Sequence, residues 1–224
     1  AKILDACLIL HAEHGGGNNS TFAARVLSSS GTDTYSAIAG AIGSLKGPRH
    51  GGANHRVMTM MHELMESVSD WSDEDELTRY LEKILRKQAG DGSGLIYGMG
   101  HAVYTLSDPR AEILKEQAKK LSVKKGLQKQ FALFESVERL SPSVFERVKG
   151  ISKAICANVD FYSGFVYNML GIPSDLFTPL FAVSRIAGWC AHRIEEIATC
   201  KRIIRPAYRS ITQNSSYKPL RERG

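Results

Sequence analysis

One long apolar stretch, PLFAVSRIAGWCA from Pro179 to Ala191, carries most of the information about how this chain folds. We expect it to lie in a helix over Pro179–Ala198. Ser184 and Arg185 are its only strongly polar side chains, so the helix is expected to be buried. A buried guanidinium needs an anion. For Arg185 that anion is either a carboxylate of the protein itself or the carboxylate of a substrate.

Most of the remaining chain is also predicted to be helical. The expected helices are Ile3–His14, a segment capped by Ser20 or Thr21 that runs to about Ser29, Tyr35–Leu45 after Asp33, Asn54–Ser67, Asp73–Ala89 capped by Ser72, one that Pro109 opens with Asp108 as its cap, Val144–Ala157, Phe161–Leu170 and a short one after Arg202. A glycine-rich loop is expected over Gly90–Gly100. Alternating strand patterns are essentially missing, so the sequence predicts an all-α fold.

Composition favours an ordinary globular protein. The chain has 224 residues, of which 43% are hydrophobic and 23% charged. No apolar run approaches the roughly 20 residues of a membrane span and no signal-peptide pattern is seen, so we predict no membrane association. The four cysteines show no C-x-x-C spacing and are expected to be reduced thiols. A cytoplasmic protein is the expectation that goes with reduced cysteines. The chain starts without Met inside a helical pattern, which predicts a piece of a longer or processed protein.

The net charge of +6 permits either a nucleic acid or a phosphate-bearing metabolite as a partner. The basic stretch Lys115–Lys129 has the pattern of the solvated face of an amphipathic helix. No aromatic residues alternate with its lysines, as they would in a protein that binds single strands. Nucleic-acid binding is therefore the less favoured interpretation.

Several residues have the chemistry of a catalytic site. Asp160 lies in NVDFYSG (158–164), and His50 and His101 are each flanked by glycine, which is typical of backbone held against a cavity although a structural role is the alternative. Arg110 follows Asp108-Pro109 at a predicted helix start, where free N–H groups attract anions. One carboxylate base, two imidazole donors and several guanidiniums would suit carbon–carbon bond formation on a dicarboxylic acid.

A second pair of histidines, His11 and His14, is spaced so that both side chains point in similar directions. A metal site would need a third ligand and the H-E-x-x-H spacing is absent, so we predict no metal. A structural role is favoured for His11. His14 stands against a triple glycine, where backbone can approach a ligand closely.

The order of the motifs resembles the citrate synthase family. It is H-x-x-H-G (11–15), G-P-x-H-G-G-A (47–53), G-H-A-V-Y (100–104) with D-P-R (108–110), N-V-D-F-Y-S-G (158–164), S-R (184–185) with G-W-x-A-H (188–192), and R-P (205–206). The resemblance runs from His11 to Tyr208, and because family members are longer, this chain resembles their C-terminal portion. It implies a multihelical dimeric enzyme with a large domain (1–51 and 164–224, its N-terminal part missing) and a small, mobile CoA-binding domain (52–163).

The resemblance also implies residue roles. Asp160 is expected to be the base, with His50 and His101 as hydrogen-bond donors to the thioester and to the ketone. Oxaloacetate is expected to contact His14, Arg110 and Arg185, while Arg205 reaches the site of the partner subunit in a homodimer. The CoA segment is expected at Leu95, Ile96, Tyr97, Gly98, Met99 and Gly100. Thr105 and Leu106 stand where many members carry a basic residue near a CoA phosphate, and Arg49 is a candidate replacement.

The implied reaction is that of an acyltransferase of the tricarboxylic acid cycle. Acetyl-CoA condenses with oxaloacetate and the thioester is hydrolysed to citrate and CoA; no cofactor is expected, since the CoA thioester is a substrate. Alternatives are 2-methylcitrate synthase using propionyl-CoA, a citryl-CoA lyase, and a non-catalytic helical module. The joint presence of His50, His101 and Asp160 argues against the last of these, because a binding module needs no general base.

Overall fold

The computed structural model describes residues 1–48, 50–100, 104, 106–150, 154–207, 209, 211 and 216–223. Its α-helices are α1 Lys2–His11, α2 Asn19–Ser29, α3 Thr34–Lys46, α4 Ala53–Ser67, α5 Glu74–Leu85, α6 Pro109–Lys125, α7 Gln128–Lys149, α8 Val159–Met169 and α9 Phe177–Thr199. Short 3-10 turns lie at Ser174–Leu176 and Leu220–Glu222. Over these ranges the β-structure is a single isolated bridge, so the all-α prediction is confirmed.

The cap predicted at Asp108 is confirmed, whereas the cap predicted at Ser20 or Thr21 is wrong, because α2 already begins at Asn19, directly after Asn18. Asp33 accepts a hydrogen bond from the amide of Ser36, and Asp108 accepts one from the amide of Arg110 at the start of α6. The predicted cap at Ser72 is wrong, because the carboxylate of Asp73 caps α5 instead. A carboxylate accepts two amides there, which a hydroxyl does less well.

Other boundaries differ from the prediction. The helix predicted over Val144–Ala157 is wrong, since α7 begins at Gln128 and ends where Gly150 adopts a left-handed conformation with φ 64°. The predicted helix over Asp73–Ala89 stops at Leu85, and α1 stops at His11, which leaves His14 in the following loop. The part of the chain described after Arg202 contains no helix before the turn at Leu220.

Two hydrophobic clusters hold the helices together. The larger one unites α4 to α8 around the buried aromatic side chains of Phe134, Phe161, Tyr162 and Phe165. The smaller one joins α2, α3 and α9 around Trp189. Because the larger cluster also takes in residues of α1 and α9, the division into the ranges 1–51, 52–163 and 164–224 stays a prediction.

The helix α9 is buried along one face only. Arg185 and Trp189 are fully buried, whereas Val183 and Ile194 are 64% and 68% exposed. The helix predicted to be buried is therefore buried on one side only, because an apolar run does not show which side of a helix is covered. Among the described residues, no helix has the length and apolar character needed to cross a membrane.

The predicted CoA segment is tied to the start of α8. Met99 pairs with Ala157 in an antiparallel bridge, the amide of Gly100 donates to the carbonyl of Cys156 at 2.7 Å, and the amide of Asn158 donates to the carbonyl of Gly98 at 2.8 Å. Asn158 then caps α8 by accepting the amide of Asp160. The segment 98–100 thus holds residues 156–158 in place and thereby positions Asp160 in the first turn of α8.

Candidate active site

A cavity of about 920 Å³ opens where loops and helix ends from both clusters meet. Polar groups from five regions of the chain face it. Its lining consists of Glu13, His14, Gly15, Gly17, Asn18, Asn19, His50, Ala53, Gly100, Tyr104, Arg110, Asn158, Val159, Asp160, Phe181 and Arg185. The cavity therefore brings together five of the predicted catalytic and substrate-binding residues: His14, His50, Arg110, Asp160 and Arg185.

Asp160 presents an open carboxylate to this cavity. In the described ranges its carboxylate oxygens make no hydrogen bond, and no Lys, Arg or His nitrogen lies within 4.0 Å of them. Burial raises the pKa of the carboxyl to about 6, although the positive charges of Arg110 and Arg185 act in the opposite direction. A carboxylate with this pKa is mostly ionised near pH 7 and is more basic than an ordinary aspartate.

His50 is held in one tautomer by Ser20. The backbone amide of Ser20 donates to Nε2 of His50 at 3.3 Å, and the Ser20 hydroxyl lies 3.0 Å from the same nitrogen. Nε2 must therefore be the unprotonated nitrogen, and Nδ1 carries the proton. Burial, with the charge of Arg185 as a second cause, lowers the pKa of His50. The site thus contains a neutral imidazole that can donate a hydrogen bond through Nδ1.

Arg185 resolves the alternative that its sequence position left open. Its Nε donates to the carbonyl of His11 at 2.6 Å, and the guanidinium stacks 4.6 Å from the centroid of the Phe181 ring. Nη1 is buried without a hydrogen-bond partner, and within the described ranges no carboxylate oxygen lies within 4.0 Å. Burial lowers its pKa to about 10, so it stays charged at neutral pH. A buried, uncompensated cation at a cavity wall is suited to the carboxylate of a ligand.

Arg110 is oriented by the residue that caps its helix. Its Nε and Nη2 donate to the two carboxylate oxygens of Asp108 at 3.0 and 2.7 Å. Nη2 also lies 3.5 Å from Nε2 of His14, whose ring stacks on Tyr104 at a centroid distance of 5.8 Å. The fork geometry fixes the plane of the guanidinium. His14 and Arg110 consequently form one corner of the cavity.

His11 lies behind the cavity, outside its lining. Its Nδ1 donates to the carbonyl of Cys7 at 2.7 Å, while the buried Nε2 has no hydrogen-bond partner. Burial is the main cause that lowers its pKa to about 4, so the ring is neutral. Across the described part of the chain, no group of three or more His, Cys, Asp or Glu side chains is placed to hold a metal ion.

Other predicted site residues lie elsewhere. Arg205 is exposed and is not part of the cavity lining, and of the predicted CoA segment only Gly100 reaches the lining. His101, Arg49 and Thr105 lie outside the described residues. Sequence reasoning missed Ser20 as the partner of His50 and Phe181 as the support of Arg185. Phe181 precedes Arg185 by four residues, so helical spacing could have placed the two on one face.

The fold and the site together define a class, an all-α protein with a cavity that offers cations, an imidazole donor and a carboxylate base. Citrate synthase, C-terminal domain, is the family model that matches, over residues 1–207. The chain belongs to the citrate synthase family.

Individual relatives agree with this assignment. The chain is 44% identical over 224 residues to a citrate synthase of Synechocystis sp., covering all of this chain and 52% of that protein. It is 40% identical over 206 residues to a 2-methylcitrate synthase of Shewanella oneidensis, covering 92% of this chain and 49% of the relative. The structure of a Thermoplasma acidophilum citrate synthase in a ternary complex with carboxymethyl coenzyme A and oxaloacetate matches with a TM-score of 0.76 and 33% identity, covering 99% and 55% of the two chains. The chain thus spans about half the length of the curated relatives it matches.

Proposed function

We propose that the cavity is the condensation site of a citrate synthase, which joins acetyl-CoA to oxaloacetate and hydrolyses the resulting thioester. The observation that carries this proposal is the meeting of the open carboxylate of Asp160 with the unpaired guanidinium of Arg185 at one cavity. The first suits a base and the second suits a substrate carboxylate. The relatives named as citrate synthases support the same reaction.

In this proposal Asp160 removes a proton from the methyl group of the thioester. A thioester methyl group is a very weak acid, so the enolate has to be stabilised as it forms. The Nδ1–H of His50 supplies a hydrogen bond to the thioester oxygen, and Ser20 keeps the ring in the required tautomer. The raised pKa of Asp160 makes it a stronger base and reduces the gap to the much higher pKa of the thioester methyl group.

The second step forms the new carbon–carbon bond. The enolate carbon attacks the ketone carbon of oxaloacetate, the ketone oxygen takes up a proton, and water then cleaves the C–S bond to release citrate and CoA. We assign the donor at the ketone oxygen to His101. Arg185, Arg110 and His14 hold the carboxylates and the oxygen of oxaloacetate, which reduces the condensation to a reaction between oriented partners.

The same proposal covers the assembly around the site. Arg205 is exposed and lies outside the lining, as expected of a residue that reaches the site of a partner subunit in a homodimer. The backbone of Leu95 to Gly100 holds the adenine of CoA, and residues 52–163 move relative to the remainder of the protein to exclude water from the site. We assign the enzyme to the cytoplasm, without a cofactor other than its CoA substrate.

A second candidate is 2-methylcitrate synthase, with propionyl-CoA as the acyl donor. The observation that favours it is the 40% identity to the Shewanella oneidensis enzyme of that name. The two reactions require the same base and donors and differ by one methylene in the acyl group. A methylene in an apolar pocket changes specificity by about 1–3 kcal/mol, so the choice rests on details of shape.

The test uses the full-length protein that carries this chain. Release of CoA thiol is followed with oxaloacetate and either acetyl-CoA or propionyl-CoA, and kcat/KM is compared for the two thioesters. We expect oxaloacetate-dependent release that is lost in Asp160→Asn, while oxaloacetate binding measured by calorimetry is kept. A folded protein that binds oxaloacetate but releases no thiol from either thioester would contradict the proposal.

A further inference from the structure

One face of α9 holds the loop that carries His14. The hydroxyl of Ser184 donates to the carbonyl of Leu8, and Nε of Arg185 donates to the carbonyl of His11 at 2.6 Å. Both acceptors belong to the end of α1, where carbonyl groups lack helical partners. The face therefore binds the backbone that leads into the cavity.

The next two turns of α9 also contact this loop, through Gly188 and His192. A Cβ atom at Gly188 would collide with the carbonyl of Ala12 and with the carboxylate of Glu13, so only glycine lets the loop approach α9 so closely. One turn further on, Nε2 of His192 lies 3.0 Å from Oε1 of Glu13. The side chain of His192 is 17% exposed, against 45% for Glu13.

Glu13 links His192 to the backbone turn at His14 and Gly15. Its Oε1 accepts the amide of His14 at 2.8 Å and also the amide of Gly15, in addition to His192. Burial acts to raise the pKa of Glu13, but the hydrogen bonds of His192 and Gly15 bring it below its ordinary value, which keeps the carboxylate charged. A charged acceptor binds amide donors more strongly than a neutral one.

We propose that His192 is a positioning residue of the cavity, which through Glu13 fixes the turn at His14–Gly15 and so holds the imidazole of His14 in place for the substrate carboxylate or oxygen. This inference rests on the proposed function for the identity of that substrate as oxaloacetate. His192 itself is not in the cavity lining and touches no substrate. We assign its influence to the hydrogen bond with Glu13.

The test compares two amides at position 192 in the full-length protein. Gln can keep an N–H donor near Glu13, whereas Asn is one methylene too short to keep the 3.0 Å contact. We expect His192→Asn to raise the KM for oxaloacetate about tenfold, which is about 1.4 kcal/mol, with kcat and the KM for acetyl-CoA changed less than about twofold. His192→Gln should restore the KM to within about threefold of the wild type, since a charge-assisted hydrogen bond is retained.

Glu195→Gln is the matched control. Glu195 lies 3.5 Å from the other ring nitrogen of His192, is 66% exposed and does not contact the His14 turn. It should leave the oxaloacetate KM unchanged. If Glu195→Gln raises this KM as much as His192→Asn does, the effect does not depend on the contact between His192 and Glu13, and the positioning role is overturned.

A double-mutant cycle completes the test. Because His192 acts through Glu13, the variant Glu13→Ala/His192→Asn should be no worse than Glu13→Ala alone. Additive effects, an unchanged KM in His192→Asn, or equal losses for both substrates together with a lowered melting temperature would each overturn the inference. If the wild-type protein neither binds oxaloacetate in calorimetry nor turns it over, the proposed function fails and the inference with it. If the wild type does both, only the variants decide on His192.

Discussion

Two buried arginines of α9 should respond in opposite ways to the same substitution. Arg185 is fully buried and leaves Nη1 without a partner, whereas Arg193 donates through Nε to Thr34, through Nη1 to Ser28 and through Nη2 to the carbonyl of Thr32. Methionine has a similar length and no charge. We therefore compare Arg185→Met with Arg193→Met in the full-length protein.

The magnitude for Arg185 follows from its pKa, which burial lowers from 12.5 to about 10. Each unit corresponds to about 1.4 kcal/mol, so burial of the charge opposes folding by about 3 kcal/mol. As the folded pKa is the lower one, this cost is fully present at neutral pH and decreases only as the pH rises through about 10. Loss of the hydrogen bond to His11 offsets about 1 kcal/mol of the gain. We therefore expect the free energy of unfolding of Arg185→Met to equal that of the wild type or to exceed it by up to about 2 kcal/mol.

Oxaloacetate binding should be affected in the opposite order, strongly by Arg185→Met and little by Arg193→Met. Truncating one partner of a buried charge pair costs about 2–5 kcal/mol, so oxaloacetate affinity should fall by about 30- to 5000-fold. Arg193→Met should lower the free energy of unfolding by about 1–3 kcal/mol, because it leaves three acceptors without their donor, and should leave oxaloacetate affinity nearly intact.

Thermal unfolding with and without oxaloacetate measures both effects. Oxaloacetate should raise the melting temperature of the wild type and of Arg193→Met but not that of Arg185→Met, since a ligand stabilises only a state that binds it. The reasoning is refuted if Arg185→Met loses more than about 2 kcal/mol of stability without ligand, because the guanidinium would then have a partner inside the protein.

Three further predictions concern the base and the CoA segment. Asp160→Asn should reduce kcat about 10²–10⁴-fold in a thiol-release assay while calorimetry shows oxaloacetate affinity within about threefold of the wild type, and equal loss of both would make Asp160 structural. Because its pKa is raised to about 6 and the ionised form is the base, kcat/KM for acetyl-CoA should fall about tenfold per pH unit below 6 and level off above it; a flat profile from pH 5 to 8 would exclude Asp160 as the base. Tyr97→Phe removes the hydroxyl that accepts from Arg56 at 2.8 Å and donates to Asp91 at 2.6 Å. It should raise the KM for acetyl-CoA severalfold and leave the KM for oxaloacetate unchanged, since only the segment 95–100 loses support; a larger effect on oxaloacetate would contradict this role.

Local signals in the sequence predicted the parts of the fold that depend on local chemistry. The cap at Asp108 is confirmed, because capping involves residues two or three positions apart, while the caps predicted at Ser72 and at Ser20 or Thr21 lie one to three residues from the observed Asp73 and Asn18. The start of α7 was missed by sixteen residues, between Gln128 and the predicted Val144. Its first residues, Gln128, Lys129 and Gln130, are polar, but Phe131, Phe134 and Val137 recur at helical spacing and are buried, so this part of the miss was a pattern in the sequence that the prediction overlooked.

The candidate site was predicted as a set of residues but not as a geometry. Motif order singled out His50 and Arg185, yet the contact that fixes the tautomer of His50 comes from Ser20, thirty residues earlier. The choice between an internal and an external anion for Arg185 also needed the surroundings of its guanidinium. Both depend on contacts between distant parts of the chain, which a single sequence does not show.

Incomplete hydrogen bonding and a place in the cavity lining together distinguish the charged groups suited to a ligand; among the described residues, His11 and Glu196 also leave a buried atom without a partner, but they lie outside the lining. Asp108 is engaged by Arg110 through both oxygens, and Arg193 donates through Nε, Nη1 and Nη2; each polar group is explained by the fold. Arg185 and Asp160 have the same side-chain chemistry, but in the described structure Nη1 of Arg185 and the carboxylate oxygens of Asp160 have no hydrogen-bond partner, and both residues line the cavity. Natural proteins accept unsatisfied charges mainly where function requires them. The cost of about 3 kcal/mol at Arg185 is therefore itself an argument that this position is kept for an anionic ligand, and a stabilised Arg185→Met variant that no longer binds oxaloacetate would demonstrate it directly.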